Sequence, residues 1–508
     1  MSKTTGTLIL AGFIFCCHCP GFAGEFPDFN DFSGVCQMGI KRIDQISPRS
    51  FSYNRFDVRW HVLEPAPGKW DKMAFDKYKQ KIIRFNESGV KSLVVLGFSV
   101  PWAYKQERYI FKTRRGPWSY EREYRKRDGG KWQYIVKRKK NGEDWEKTVD
   151  RIEICPKIPF EPAYVDAWKR YVAKVVEELS KPPYNVKYFQ IWNEAHPWSG
   201  FYNGTLDQYM TQVHIPAAEV IKQAGAKVVY GGWPDKPPVS ELVALLDKYQ
   251  AWKNIDVIDT HYKDIGVMHY LRRCADQRGY RDMGVWQTEV SFSTNYFYIP
   301  ENYPGALYMA LNENWSYPDK YKMFFFPFWS AKGKKSYALA RGLLCGDSLT
   351  GHAYALKTLQ QVLGGGRMSV FKQIKTLPLL TTAPAYDGVR TIDDLRKVYR
   401  KMSVIGIRSG NKLLIVFLPS EKDIKSWRER NLNSIKCSVS GINMADIRSA
   451  YRLGVFGKNR LPIKPYGINK DEVGLSIPIK ESSLYKDSFF SEKTLYRPVF
   501  YCVVEMKK

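Results

Sequence analysis

The 508-residue chain has few histidines, and the cysteines after residue 23 are widely spaced. The seven histidines are dispersed, and no CxxC pair occurs after residue 23. Structural zinc sites and dense disulfide scaffolds need closely spaced ligands, so neither is expected, and we predict neither metal nor cofactor. Buried free thiols are the favoured state of the remaining cysteines, with one or two disulfides as the alternative in an oxidising compartment. These cysteines are Cys36, Cys155, Cys274, Cys345, Cys437 and Cys502.

Several motifs of other enzyme classes are also missing. No G-x-G-x-x-G turn follows an apolar run, no phosphate-binding loop is present, and no Ser-His-Asp arrangement is recognisable. These absences argue against dinucleotide binding, nucleotide hydrolysis and serine-hydrolase chemistry. After the first residues no apolar run reaches the roughly 20 residues that a membrane helix needs, so no membrane anchor is expected.

The N-terminus has the layout of a secretory signal peptide. A basic start is followed by a short apolar stretch and by the small-x-small sequence that ends at Ala23. We therefore predict a signal peptide over residues 1–23 and a secreted or periplasmic protein.

Acidic residues are too few to balance the basic ones. The chain has 51 Asp and Glu against 79 Lys and Arg, which gives a formal charge of +28. Nucleic acid, an anionic membrane surface and an acidic substrate would each suit this charge. Export makes nucleic acid an unsuitable partner, and a solvated basic surface without any partner is the plain alternative.

The middle of the chain alternates short apolar runs with amphipathic stretches. This pattern predicts an α/β fold, a (β/α)8 TIM barrel over residues 24–366. The predicted strands are residues 32–40, 56–65, 90–99, 185–194, 226–234, 255–263, 284–291 and 322–330. The predicted helices are residues 72–87, 162–180, 206–224, 239–250, 264–278 and 350–363.

Two regions depart from this alternation. Residues 103–161, after strand 3, form a long insert, and within them residues 103–154 carry sixteen Lys or Arg and nine Asp or Glu, a net charge of +7. The sequence "GGKWQYIVKRKKNGEDWEK" in this insert predicts a hairpin. Beyond residue 366 strand-like runs predominate, so we predict a C-terminal antiparallel β-sandwich over 367–508.

Active sites of (β/α)8 barrels lie at the C-terminal ends of the strands. The carboxylates Glu194 and Glu289 lie directly behind the apolar cores of predicted strands 4 and 7. Two facing carboxylates are what glycoside hydrolysis requires, since one protonates the leaving oxygen and the other attacks the anomeric carbon or activates water. Other polar or aromatic side chains near the ends of predicted strands are Arg59, His61, Asn193, His261, Lys263 and Trp329.

Three sequences carry a family resemblance: "WNE" after strand 4, "TE" after strand 7 and "VRW…EP..G.WD" around strand 2. Together they resemble glycoside hydrolase clan A, the retaining barrel glycosidases. "RWH" on strand 2, "HYK" on strand 6 and the C-terminal β domain are most similar to family 39, which includes β-xylosidases and α-L-iduronidases. Family 5 or a less-studied family of the clan is the alternative.

The resemblance implies roles for individual residues. Glu194 would be the general acid/base and Glu289 the nucleophile that forms a covalent glycosyl-enzyme. Asn193 would contact the 2-hydroxyl of the sugar. The resemblance also implies that Arg59 hydrogen-bonds the nucleophile and that His261 and Tyr262 orient the nucleophile or the sugar. Trp329 would form the floor of the sugar subsite.

The sugar is less well determined by the sequence. The net charge, the basic insert and Lys263 favour an anionic glycan, such as a uronic-acid-containing or sulfated one. The alternative is that Lys263 and the insert are only solvated. A catalytically silent barrel that binds glycans, and a basic adhesin, are the competing hypotheses for function.

Overall fold

The computed structural model describes most of the chain after the predicted signal peptide, which itself lies outside the described residues. The described residues are 28–45, 50–128, 131–291, 298–313, 319–330, 341–377, 403–457, 460–479 and 499–507.

Eight parallel strands close into a barrel, as predicted. Each strand pairs with its neighbour in sequence order, and strand 1 pairs with strand 8. Their side chains are mostly buried because the helices cover the outer face and other side chains fill the interior. Strands 1 to 8 are Ser33–Cys36, Tyr53–Arg59, Lys91–Gly97, Tyr188–Ile191, Lys227–Val229, Val257–His261, Gly284–Val290 and Tyr321–Phe325.

Amphipathic helices surround the barrel at the predicted positions. Their apolar faces join the outward side chains of the strands in one core. A further helix, Tyr298–Asn312, was not predicted because its sequence contains Pro300 and Pro304, which usually mark helix ends. The main helices that alternate with the strands are Lys72–Glu87, Val165–Leu179, Ile215–Gln223, Val239–Lys248, Ile265–Gln277, Tyr298–Asn312 and Gly351–Leu363.

The insert after strand 3 is a four-stranded antiparallel sheet. The predicted hairpin is confirmed as its second half, and an equivalent hairpin precedes it. The insert has its own aromatic cluster, which includes Tyr104, Tyr124, Trp132 and Tyr134. The Tyr124 hydroxyl accepts from the side-chain amide of Asn203, in the loop after strand 4, at 3.2 Å. The strands of the insert are Arg108–Arg115, Trp118–Lys126, Trp132–Lys140 and Glu146–Glu153.

The C-terminal region forms two antiparallel sheets, which confirms the predicted sandwich. The six-stranded sheet shares a core with the barrel helices on one side and with the four-stranded sheet on the other. One helix, Glu421–Glu429, interrupts the strands. The six-stranded sheet contains Met368–Val370, Val404–Ser409, Lys412–Phe417, Phe500–Met506, Ile447–Leu453 and Leu461–Ile463; the four-stranded sheet contains Ile374–Leu377, Ser434–Ser440, Glu472–Pro478 and Tyr466–Asn469.

The six cysteines after residue 23 are all buried and free, in agreement with the favoured expectation. Within the described residues, no helix is both long and apolar enough to cross a lipid bilayer.

Candidate active site

A cavity of about 930 Å³ opens at the C-terminal ends of the barrel strands. Residues after nearly every strand contribute to its wall, so the predicted location of the site agrees with the fold. Of the predicted site residues, the cavity wall includes Arg59, His61, Asn193, Glu194, Tyr262 and Glu289.

The two glutamates lie close together around His261. One oxygen of each carboxylate and one ring nitrogen of His261 all lie within 4.8 Å of one another. His261 Nδ1 donates to Glu194 Oε1 at 2.9 Å and is 3.8 Å from Glu289 Oε2. The other ring nitrogen contacts Thr288 Oγ1 at 3.1 Å and lies 3.5 Å from Asp259 Oδ2.

His261 is therefore a buried ring among three carboxylates. Burial alone would lower its pKa, but the charge of Glu289 and the hydrogen bonds to Asp259 and Glu194 raise the pKa to about 10. With this pKa the ring carries a proton on both nitrogens at neutral pH. We interpret His261 as the cation that holds the two glutamates in place.

Glu289 has two further donors. Arg55 Nη1 donates to its Oε1 at 2.7 Å, and the Tyr262 hydroxyl donates to its Oε2 at 2.7 Å. Burial raises the pKa of Glu289, but the charges of His261 and Arg55 and the hydrogen bonds of Tyr262 and Arg55 outweigh burial and lower it. Glu289 is consequently ionised at neutral pH.

The contact expected of Arg59 is made by Arg55 instead, so that expectation was wrong. Strand 2 ends at Arg59, and Trp60–Leu63 form a helical turn where the sequence predicted strand. Arg55 lies in the middle of this strand and points into the barrel, where it contacts Glu289. Arg59 lies at the rim, with 49% of its side chain exposed, and pairs with Asp57 at 3.2 Å.

Arg55 organises more than the nucleophile candidate. Its Nη2 donates to Asn193 Oδ1 at 2.5 Å and its Nε to Gln190 Oε1 at 2.7 Å. The planar guanidinium thus fixes Glu289 and Asn193 relative to each other. Sequence reasoning missed Arg55 and Gln190 because it examined only strand ends, and predicted strand 2 began at residue 56, after Arg55.

Two predicted substrate contacts lie elsewhere. The Lys263 ammonium is bound by the carbonyl groups of Asp235 and Pro237, the latter at 2.9 Å. Trp329 is 40% exposed, donates to the Gly346 carbonyl at 2.9 Å and stacks under the Arg42 guanidinium. Neither residue belongs to the cavity wall.

His61 does line the cavity, from the helical turn rather than from strand 2. Its Nδ1 lies 3.6 Å from the Cys155 sulfur of the insert. Burial and the nearby Arg59 lower the pKa of His61 to about 4, so this ring is neutral at physiological pH.

The backbone is strained where the site is built. Four residues directly after barrel strands have positive φ without being glycine: Trp192 at 67°, Glu194 at 45°, Tyr262 at 55° and Ser291 at 69°. Such conformations cost of order 1–3 kcal/mol each and cluster at functional sites, where the surrounding structure enforces them.

Two glycines shortly after strand 5 leave room for His261 and for strand 4. A Cβ at Gly232 would lie 2.4 Å from His261 Nε2, and a Cβ at Gly231 would lie 2.4 Å from the Ile191 carbonyl oxygen. Gly232 also has φ +72°. Gly232 is thus a steric requirement of the buried His261 ring, and Gly231 is one of the close approach of Ile191.

The insert closes one side of the cavity. Glu153, Ile154, Cys155 and Lys157 line it from the insert, next to Phe201 from the loop after strand 4. Sequence reasoning did not find these residues because a sheet inserted in a loop has no periodicity that indicates which end faces a site.

The arrangement pairs an ionised carboxylate with a second carboxylate at short range. One oxygen of Glu194 and one oxygen of Glu289 lie within 4.8 Å of each other, which is compatible with the separation of about 5–5.5 Å between the carboxyl groups of glycosidases that form a covalent intermediate.

No family model and no curated protein sequence matches this chain. Among solved structures, a family 39 glycoside hydrolase from the gut symbiont Bacteroides cellulosilyticus WH2 aligns with a TM-score of 0.56 at 13% identity, over 94% of this chain and 81% of that one. The exo-β-1,4-mannosidase Op5Man5 from Opitutaceae bacterium strain TAV5 (TM-score 0.41, 12% identity) covers 66% of this chain and 60% of its own. A family 1 β-glucosidase from Thermotoga maritima (TM-score 0.39, 10% identity) covers 66% and 99%. The first alignment shows that this chain shares the fold of that family 39 glycoside hydrolase, as the predicted resemblance implied.

Proposed function

We propose that the protein is a retaining glycoside hydrolase acting on a carbohydrate by double displacement. The observation that carries the proposal is the trio of Glu194, His261 and Glu289, whose ligand atoms lie within 4.8 Å of one another at the mouth of the barrel. The fold shared with a family 39 glycoside hydrolase supports it.

In the first step the Glu289 carboxylate attacks the anomeric carbon. The bond to the leaving oxygen breaks, and Glu194 transfers its proton to that oxygen. The product is a covalent glycosyl ester of Glu289. In the second step Glu194 takes a proton from water, the resulting hydroxide attacks the anomeric carbon, and the ester bond to Glu289 breaks.

The surrounding groups suit these steps. Arg55 and Tyr262 keep the Glu289 carboxylate ionised and hold it in position through their hydrogen bonds. These hydrogen bonds weaken as the carboxylate loses its negative charge on forming the ester. Asn193, held by Arg55, has its amide NH₂ left to bind a sugar hydroxyl beside the reacting carbon.

Azide rescue tests the assignment. Glu289→Gly should lower kcat/KM on aryl glycosides by roughly 10⁴-fold or more. Azide should restore cleavage and give a glycosyl azide of configuration opposite to the substrate. Glu87→Gln, which changes an exposed surface carboxylate, is the control. Glycan binding without turnover, indifferent to Glu194→Gln, would support the silent barrel instead.

We further propose that the substrate is an anionic glycan and that the protein is exported. The charge of +28 supports the first and the N-terminal sequence the second. Export predicts a mature protein that begins at Gly24, which mass spectrometry of the intact protein measures.

A further inference from the structure

One part of the cavity wall is formed by the insert and the elements beside it, and we call this part the insert corner. It consists of Arg59, Glu153, Ile154, Lys157 and Phe201, all of which line the cavity. Asn203 ties the two loops together, since its backbone and side-chain amides donate to the Lys157 carbonyl at 2.8 and 2.9 Å. The corner is therefore a fixed part of the wall.

Lys157 lacks an anionic partner. Its ammonium lies over the Phe201 ring, 4.7 Å from the centroid. Throughout the described ranges, no carboxylate comes within the 4.0 Å of an ion pair with it. The charged neighbours of this half-buried ammonium already have partners of their own, since Glu153 pairs with Arg151 at 2.6 Å and Arg59 with Asp57 at 3.2 Å. A negatively charged ligand group would therefore meet a cation that has no ion pair within the described part of the chain.

Glu153 lacks a donor on one oxygen. Arg151 donates twice to Oε1, at 2.9 and 2.6 Å, whereas Oε2 is buried with no hydrogen-bond partner. A buried acceptor left unsatisfied is costly, so a hydroxyl supplied by a ligand would relieve it.

The corner also presents apolar surface towards the cavity. Phe201 is 37% exposed and Ile154 65% exposed. A sugar ring offers C–H groups to such surfaces while its substituents reach polar atoms at the edge, which is the usual composition of a ligand pocket.

The corner lies beyond the reacting bond. Arg55, Asp57 and Arg59 share one face of strand 2, and four residues of strand span about 13 Å. Arg55 contacts Glu289, so Arg59 marks the rim of the same cavity. A volume of about 930 Å³, at the upper end for ligand sites, has room for more than one sugar unit.

We propose that the insert corner is a second sugar subsite that binds a unit carrying a carboxylate group. Lys157 and Arg59 bind the anionic group, Glu153 Oε2 accepts a hydroxyl, and Phe201 supports the ring. This inference rests on the proposed function, because one substrate spans the corner and the catalytic pair.

Binding measurements test it without turnover. Tetrasaccharides of uronic acids from pectin, alginate and desulfated chondroitin, each as free acid and in carboxyl-reduced form, are titrated into Glu289→Gln protein by calorimetry. At least one free acid should bind tenfold or more tighter than its reduced form. Adding Lys157→Met should abolish that preference. Adding Lys139→Met, which removes an insert lysine over the Trp145 ring and outside the cavity wall, should leave it intact.

Two results would overturn the subsite: no free acid preferred over its reduced form, or a preference that survives Lys157→Met. Equal losses from Lys157→Met and Lys139→Met would do the same, since they would indicate a general charge effect. The proposed function fails separately: it predicts turnover by wild-type protein, which these titrations do not measure.

Discussion

The side chain that connects most of the site is Arg55, which has a different partner on each of its nitrogens. Glu289, Asn193 and Gln190 all accept from one planar group. Lysine has the same charge but presents one point donor in place of the fork. The geometry of the site, and not only its charge, thus depends on this residue.

Arg55→Lys should therefore lower kcat on aryl glycosides by about 100-fold while the protein remains folded. The kinetics are measured beside Arg84→Lys, an exposed arginine that pairs with Glu87 on a surface helix and should match wild type. Unchanged kcat in Arg55→Lys would show that its charge alone suffices.

Gly232 gives a second prediction at this scale. Gly232→Ala should destabilise the protein and lower activity, because the new Cβ would displace the His261 ring. Gly225→Ala is the matched control: its φ is +74°, close to that of Gly232, but nothing lies within 4 Å of the added Cβ. The control should cost about 1 kcal/mol from backbone strain alone. Urea denaturation and kcat should separate the two variants, and equal losses would contradict the steric role of Gly232.

At the scale of elements, the alternation of apolar runs and amphipathic stretches was enough to predict the barrel, because a strand that is covered on both faces reads as a short apolar run in the sequence. Their ends were less predictable. Strand 2 was extended to residue 65 because Trp60 and Leu63 are apolar, but these residues are buried by a helical turn. Because the predicted strand covered residues 56–65, Arg59 was predicted as the contact of Glu289 and Arg55 was not considered. The pair Glu194 and Glu289 was predicted because each lies directly behind the apolar core of its predicted strand. The position of Lys157, in contrast, depends on how the whole inserted sheet packs, which the sequence does not indicate.

The start of strand 8 carries an ion cluster below the site. Asp319 accepts from Lys187 at 2.9 Å and Tyr188 at 3.0 Å, and lies 3.3 Å from the fully buried ammonium of Lys322. Burial raises the pKa of Asp319, but Lys322 and Lys187 outweigh burial and lower it to about 2.

This shift predicts an acid-labile element. Because the folded pKa lies below the unfolded value of 3.8, the stabilisation is complete above pH 4 and is lost as pH falls from about 4 to 2. Asp319→Asn should cost about 3 kcal/mol at neutral pH, since it leaves Lys322 buried without its anion. Urea denaturation across pH 2–7 measures both effects. A variant whose stability has the same acid dependence as wild type would exclude Asp319 as its source.

At the scale of the whole molecule, the charge is unevenly distributed. Residues 367–508 carry 27 Lys and Arg against 13 Asp and Glu, a net of +14, in addition to the +7 of residues 103–154. Many cations of the insert are already paired within it, as Arg108 and Arg125 are with Glu123. The long-range field of the molecule, in contrast, depends on the uncompensated total and acts on a charged polymer before any contact forms.

An anionic polysaccharide substrate should therefore show a rate that depends on salt. Between 10 and 150 mM salt the screening length falls from about 30 Å to about 8 Å, so kcat/KM on an acidic polymer should fall about tenfold or more. A neutral aryl glycoside has no charge for the field to attract, and its kcat/KM should stay within twofold. Steady-state rates over this range, at constant pH, distinguish the two. A parallel decline for both substrates would mean that salt acts on the enzyme itself, and the basic surface would then have no part in substrate capture.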